Sequence, residues 1–198
     1  MRRLRWLWTY ICILRILPAW LFFNTNKFCK KCKQDLGAWC NHYGSVDRRC
    51  HFWQLGYLLI HERETRNIFL NRLHRNPFMF VVVRLLFPPL DSLYINMPPE
   101  MIGGGLVFQH GFSTIVAATS IGANCKIFQQ VTIGFNGEKS PVIEDNVTIS
   151  AGAIVIGAVH IGCHAIVGAG AVVTNDVAPG KTVVGVPARQ IVYGDKEK

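Results

Sequence analysis

His110 is the side chain whose type and setting best suit it to chemistry. It lies two residues after Phe108, an apolar residue that the surrounding pattern turns inward, so its imidazole is aimed outward. An outward imidazole titrates near neutral pH and can take the proton of an attacking hydroxyl. Gln129 follows Ile127 by the same two residues, so it stands in the same phase one turn of the pattern later, placed to orient the ring or a substrate. His160 precedes Ile161 and His164 precedes Ala165, and both are expected on the surface, either as plain surface residues or lining a groove between subunits. Cys29-x2-Cys32, with Cys40, His42, Cys50 and His51 following, allows a four-ligand zinc site on paper. It lacks a second tight pair and the glycines that turn such knuckles, so no metal is expected, and the seven cysteines read as reduced thiols in a cytosolic setting.

The elements that must hold His110 and Gln129 are set by a change of grammar near Ile102. Isoleucine or valine recurs every six residues at Ile115, Ile121, Ile127 and Ile133, then at Ile143, Ile149, Val155, Ile161, Val167 and Val173. Four residues beyond most of these sits a compact residue: Thr119, Cys125, Val131, Val147, Ala153, Val159, Ala165, Ala171 and Val177. A period of six belongs to neither a lone helix nor an ordinary strand. It fits a triangular coil of three short parallel strands, about 18 residues per turn, with the aliphatic residue inside a narrow prism and tight bends at the corners. Such a prism has no internal cavity, so ligands must bind on its outer faces or between copies.

Two breaks in the repeat mark where function is expected. Seven residues separate Phe108 from Ile115, which places a small bulge over Gln109 to Thr114. Ten separate Ile133 from Ile143, ejecting the loop 134–142, Gly134-Phe135-Asn136-Gly137-Glu138-Lys139-Ser140-Pro141-Val142. The tail over 181–193 departs from the repeat and is expected to cap the prism.

Residues 1–93 read differently. They hold most of the 21 Lys and Arg, within a chain of 198 residues and formal charge +9. Helices are expected over Leu4–Phe23, Gln34–Tyr43 with Gly44 as the stop, Arg48–His61, Glu62–Arg75 and Phe78–Phe87, the last closed by Pro88-Pro89. Residues 1–23 interleave arginines with Trp6, Trp8, Tyr10, Trp20, Phe22 and Phe23, a mixture suited to an anionic membrane surface and less to nucleic acid. Arg15 and Pro18 interrupt the apolar run, so it is too short to span a bilayer. The expected location is therefore cytoplasmic, with peripheral contact at the inner face of the membrane.

The segment Ile102-Gly103-Gly104-Gly105-Leu106-Val107-Phe108-Gln109-His110, with Gln130-Val131-Thr132-Ile133-Gly134 and Gly185-Val186-Pro187-Ala188-Arg189, resembles the hexapeptide-repeat acyltransferases. Among these it is nearest to serine O-acetyltransferases and to sugar O-acetyltransferases of capsule and lipopolysaccharide. The resemblance covers about residues 94–193 and implies a left-handed parallel β-helix, mainly β, assembled as a homotrimer behind the helical region. It implies acetyl-CoA as the acyl donor, His110 as general base, and direct transfer in a ternary complex. Lys139, Lys181 and Arg189 would meet the phosphates of the carrier, and Ala151, Gly168 and Ala169 would leave room for its pantetheine arm. Gln109, Asn96 and Asn136 would face the acceptor.

The chain departs from the serine-specific pattern at three places. The loop reads Gly137-Glu138-Lys139-Ser140-Pro141 without the second histidine, Gln109 replaces an aspartate, and Ile95-Asn96 replaces another. Those losses point to an uncharged acceptor, a sugar hydroxyl in polysaccharide or glycolipid synthesis. Serine O-acetyltransferase and a non-catalytic β-helix scaffold stay open as alternatives.

Overall fold

The computed structural model describes residues 2–25, 29–44 and 51–191. Among the described residues six helices come first: α1 (Arg2–Ile11), α2 (Ile13–Thr25), α3 (Cys29–Tyr43), α4 (His51–His61), α5 (Arg63–Arg72) and α6 (Pro77–Leu86). Asn76 caps α6 by accepting from the Met79 N–H at 3.2 Å, and Pro77 fills its first position, where no N–H is needed. The helix α3 stops at Gly44, which takes φ +58°.

The single helix expected over 4–23 is two helices, bent by 82° at Cys12. The bend lets both pieces reach α4. Trp6 of α1 packs tilted against Tyr57, and Tyr10 meets Trp53 edge-on, at ring separations of 4.8 and 4.5 Å. Ile16, Ala19 and Phe23 of α2 are fully buried in the same core as Leu55, Leu58 and Leu59. This corrects the expected membrane contact through residues 1–23. Trp6, Tyr10, Trp20 and Phe23, with Arg5 paired to Glu62 at 3.2 Å, are used against the protein itself. No single described helix is long and apolar enough to cross a membrane, and Leu7, Trp8, Ile11 and Leu14 remain exposed on the outer side.

Fourteen short strands follow: β1 (Leu93–Ile95), β2 (Val107–Gln109), β3 (Thr114–Val116), β4 (Ser120–Ile121), β5 (Lys126–Phe128), β6 (Thr132–Gly134) and β7 (Val142–Ile143). After them come β8 (Thr148–Ile149), β9 (Ile154–Ile156), β10 (His160–Ile161), β11 (Ile166–Val167), β12 (Val172–Val173), β13 (Thr182–Val184) and β14 (Arg189–Gln190). They form the three faces of a β-helix, in the orders β1-β3-β6-β9-β12, β10-β7-β4 and β14-β13-β11-β8-β5-β2. All pairs are parallel except β13 with β14, a final antiparallel hairpin. The core is the expected ladder: Ile121, Ile127, Ile133, Ile143, Ile149, Val155, Ile161, Val167 and Val173 are each at most 2% exposed.

The first rung is the exception. Ile115 is 50% exposed and Val116 takes the inward place, so eight residues rather than six separate it from Phe108. Two residues are inserted, one more than the spacing suggests, and the chain absorbs them by turning through positive φ at His110, Gly111 and Ser113. Thr119, the expected compact position, is exposed, and Ala117 and Ala118 are buried in its place.

A coil at the end of a solenoid has no neighbour to take its backbone groups. Here the helices supply side chains. The Lys31 ammonium donates to the carbonyls of Pro99, Glu100 and Ile102, Trp39 Nε1 to Leu106, and the Tyr43 hydroxyl to Phe108. Arg72 reaches the carbonyls of Pro99, Ile102 and Gly103 while binding Asp35 at 3.0 Å, and Asp35 accepts from the Gly105 N–H at 2.7 Å. Both side chains of that pair are 1% exposed.

Candidate active site

His110 stands on the corner where the face ending in β2, β5, β8 and β11 turns into the face beginning with β3, β6, β9 and β12. Its φ of 64° is a conformation that side-chain-bearing residues seldom take, and Gly111 follows at φ 36°. The turn projects the imidazole into solvent. Successive coils stack their bends beneath it: Gln130 N–H donates to Phe112, Gly152 N–H to Gln129, and Gly170 N–H to Ala151. The column ends where Val172 N–H donates to Gly185. Gln129, Ala151 and Ala169 therefore line one corner below His110, which is where an extended thioester arm could lie. The Gln129 Oε1 atom is buried without a hydrogen-bond partner.

Gly168 has a different reason to be glycine. A Cβ there would lie 2.6 Å from Val184 Cγ1 and 3.1 Å from the Val183 carbonyl, so the next coil already excludes a side chain. The three cations do not converge. Lys181 and Arg189 share a cleft of about 220 Å³ at the C-terminal end, with Asp176 and Val183. Lys139 lies elsewhere, in a groove of about 560 Å³ with Thr119, Ser140 and His160.

Gln109 pairs with Phe128 in the ladder and adjoins His110 directly. Asn96 and Asn136 do not. Asn96 follows β1 and donates its N–H to Val116, and Asn136 follows β6, so both sit at the far edge of the face that His110 begins. The loop 134–142 leaves the prism at that far edge too. His160 is held by Glu144 at 3.0 Å and by the Asp176 carboxylate on its N–H. His164 occupies the left-handed corner position that Asn124 and Asn146 fill in earlier coils, so each histidine has a local structural explanation. Among the described residues, no group of three or more His, Cys, Asp or Glu is arranged to hold a metal. Cys50 and the side chain of Cys29 lie outside the described residues, as does the paper zinc site with them.

The sequence reading missed what the helices bring to this corner. The first turn of α5 packs on Gly111, with Glu64 Cγ 2.9 Å from where a Cβ would stand. Burial first, then the charges of Glu64 and Glu62, push the Tyr43 hydroxyl well above its usual range. Burial pushes the Glu62 carboxyl up, against the pull of Arg5 and a smaller pull from His110. Burial, then Lys126 and His110, pull His42 down. The helical layer thus brings Glu62 and His42 within electrostatic reach of His110, and Glu64 and Tyr43 against its neighbours Gly111 and Phe108. The available signal was the Glu62-x-Glu64 pair at a helix start, which periodicity alone reads as an exposed first turn.

No family model matches the chain. It is 35% identical over 126 residues to the serine acetyltransferase of Helicobacter pylori strain J99, spanning 60% of this chain and 73% of that protein. It is 40% identical over 105 residues to the serine acetyltransferase of Bacillus licheniformis, covering 50% of this chain. The chain spans about half the length (49%) of that relative. Among solved structures, a Neisseria gonorrhoeae serine acetyltransferase in complex with serine superposes with TM-score 0.60 at 28% identity, over 84% of this chain and 69% of the other. These relatives overturn the expected sugar or glycolipid acceptor, because they are serine enzymes across the matched region. The physical reason for the error is local: acidic groups were sought in the β-helix, whereas Glu62 and Glu64 approach the His110 corner from the helices.

Proposed function

Because the chain belongs to the serine acetyltransferase family of left-handed β-helix acyltransferases, we propose that it transfers an acetyl group from acetyl-CoA to the hydroxyl of serine. The observation that carries this reading is His110, held outward at the head of a smooth corner, with Glu62 within electrostatic reach and Glu64 beside Gly111. The donor would lie along Gln129, Ala151 and Ala169, with Arg189 and Lys181 at the foot of the prism as partners for its phosphates.

His110 takes the proton from the serine hydroxyl as its oxygen attacks the thioester carbonyl. The new C–O bond forms, the C–S bond breaks, and the imidazolium returns the proton to the departing thiolate. No acyl-enzyme is needed. The outward column Tyr94, Ile115, Thr132, Ile154 and Val172 is mostly apolar, which supports packing of this face against other copies in a trimer. In such an assembly the loop 134–142, with Asn136 and Lys139, would approach the corner of a neighbouring copy and not its own. Cys12, Cys125 and Cys163 carry free thiols, which suits a reducing cytoplasmic compartment.

The test is acetyl-CoA consumption with L-serine by the wild type and His110→Ala. The variant should lose about 10²- to 10⁴-fold in kcat and keep its affinity for acetyl-CoA. Full turnover by His110→Ala would remove the base assignment, and inertness of the wild type toward serine would remove the acceptor.

A further inference from the structure

We infer that Tyr43 is a positioning residue for His110: its hydroxyl holds the Phe108 carbonyl and so sets the start of the turn that aims the imidazole. This rests on His110 being the general base, as proposed above. In the ladder of β2 on β5, the Val107 N–H donates to Cys125 in the coil below. By the alternation of a parallel pair, the backbone groups of Leu106 and Phe108 then point to the open edge of β2. One face of α3 occupies that edge. Asp35, Trp39 and Tyr43 are spaced by four residues and lie one above another on the helix. They meet the strand in order. Asp35 accepts from the N–H groups of Gly105 and Leu106, and Trp39 Nε1 donates to the Leu106 carbonyl at 2.8 Å. The Tyr43 hydroxyl donates to the Phe108 carbonyl at 3.1 Å. The helix thereby does for β2 what the preceding coil does for β5, β8 and β11.

Tyr43 makes the last of these bonds, two residues before His110. Beyond it lies a turn with φ 64° at His110 and 51° at Ser113, values that a side-chain-bearing residue keeps only where its surroundings hold it. The later bends of the same corner are each tied to the bend above through an N–H, from Gln130 to Phe112, Gly152 to Gln129 and Gly170 to Ala151. The His110 bend heads the column, so no bend stands above it. Its entry is fixed instead at Phe108, by β5 below and by Tyr43 at the edge. A general base works only within hydrogen-bond reach of the proton it removes, and a misplacement of ~1 Å can cost about 10²-fold in rate. Without the hydroxyl, the Phe108 peptide tilts toward another donor, and the tilt passes straight into the turn. Trp39 makes the same kind of bond two residues earlier, from a side chain only 2% exposed. Its loss should weigh more on the fold and less on the aim of His110.

The experiment sets Tyr43→Phe beside Trp39→Phe in the full chain, with kcat, KM for L-serine, KM for acetyl-CoA and the urea midpoint measured for each. The two variants should rank in opposite orders. Tyr43→Phe should lower kcat by about 10- to 100-fold, leave both KM values within about twofold, and shift the urea midpoint less than Trp39→Phe does. Trp39→Phe should keep kcat within about threefold of wild type. Added to His110→Ala, Tyr43→Phe should change the residual rate by less than about twofold, because an effect exerted through the imidazole disappears with it. A kcat within about twofold of wild type in Tyr43→Phe would overturn the inference. So would rate losses that follow the urea midpoints in both variants, or an undiminished effect on top of His110→Ala. A Tyr43→Phe chain that fails to fold counts against it as well, since the bond would then serve the whole domain. Failure of the underlying reading looks different: the wild type is inert with serine, or His110→Ala keeps full turnover, and the inference falls with it. If His110→Ala is crippled and Tyr43→Phe is not, only the role of Tyr43 fails.

Discussion

From Ile121 to Val173 each coil of the prism passes its backbone donors and acceptors to the next, whereas the first coil passes its carbonyls to side chains of α3 and α5. Interior coils use one interaction repeated, and any rung resembles its neighbours. The first coil uses side chains placed one by one: Lys31 and Arg72 share the carbonyls of Pro99 and Ile102, while Trp39 and Tyr43 take one each. The difference shows two ways of closing a strand edge. One costs only a repeat; the other needs side chains placed individually, which then become available for chemistry. Tyr43 belongs to that second group, and the layer that seals the prism also lines its candidate active site.

If the seal matters as argued, breaking it should cost more than any single interior rung. Arg72→Met removes the counter-charge of a buried Asp35 and three donors to backbone carbonyls at once. The expected loss is about 3–5 kcal/mol, a large share of the ~5–15 kcal/mol that domains possess. Urea unfolding followed by circular dichroism measures it, with Ile149→Val, expected to cost about 0.5–1.5 kcal/mol, as the interior control. A double variant sharpens the comparison. If Asp35→Leu with Arg72→Met recovers nearly all the loss, the arginine serves only charge balance. Recovery of a minor part shows that it also seals the edge. Trp39→Phe comes next: it keeps the ring but leaves the buried Leu106 carbonyl without its donor, an expected loss of about 1–3 kcal/mol by the same measurement. A Trp39→Phe midpoint equal to wild type would mean that water or a shifted neighbour replaces the indole.

The same contrast explains what the sequence made readable. Nine of the ten inward rungs follow from a spacing of six, because one physical role repeats with one residue type. Ile115 was misplaced because an insertion of two residues can begin with either an isoleucine or a valine inward, and only the turn through His110 decides. Lys31, Arg72 and Trp39 bond across about 30 to 70 positions to backbone atoms, which carry no sequence signal at all. His110 and Gln129 were found because they interrupt or share the repeat. Glu64 was not, since nothing in α5 announces which corner its first turn will meet. Asn96 and Asn136 are expected at the acceptor by resemblance, and the short strands β1 and β6 carry them across the face to the opposite edge.

The smallest expected effect concerns acid, and it separates the helical layer from the prism. His42 is at the end of α3, and burial first, then Lys126 and His110, hold its pKa below the ordinary histidine value of 6.5. A histidine whose folded pKa is depressed binds its proton more weakly in the folded chain than in the unfolded one. Its contribution to stability is therefore fully present above the ordinary value and is lost as pH falls below it toward the depressed folded value. His61, depressed mainly by burial, acts in the same direction at the contact between α4 and α1. Unfolding midpoints of wild type and His42→Gln, measured from pH 7.5 down to about 5, should converge as the wild type alone loses what His42 contributed. Hydrogen exchange should place the early opening in α3 and leave the interior rungs from Ile121 to Val173 protected. Parallel pH slopes for the two proteins, or opening that starts in the prism, would mean that the cap is not the part that acid loosens first.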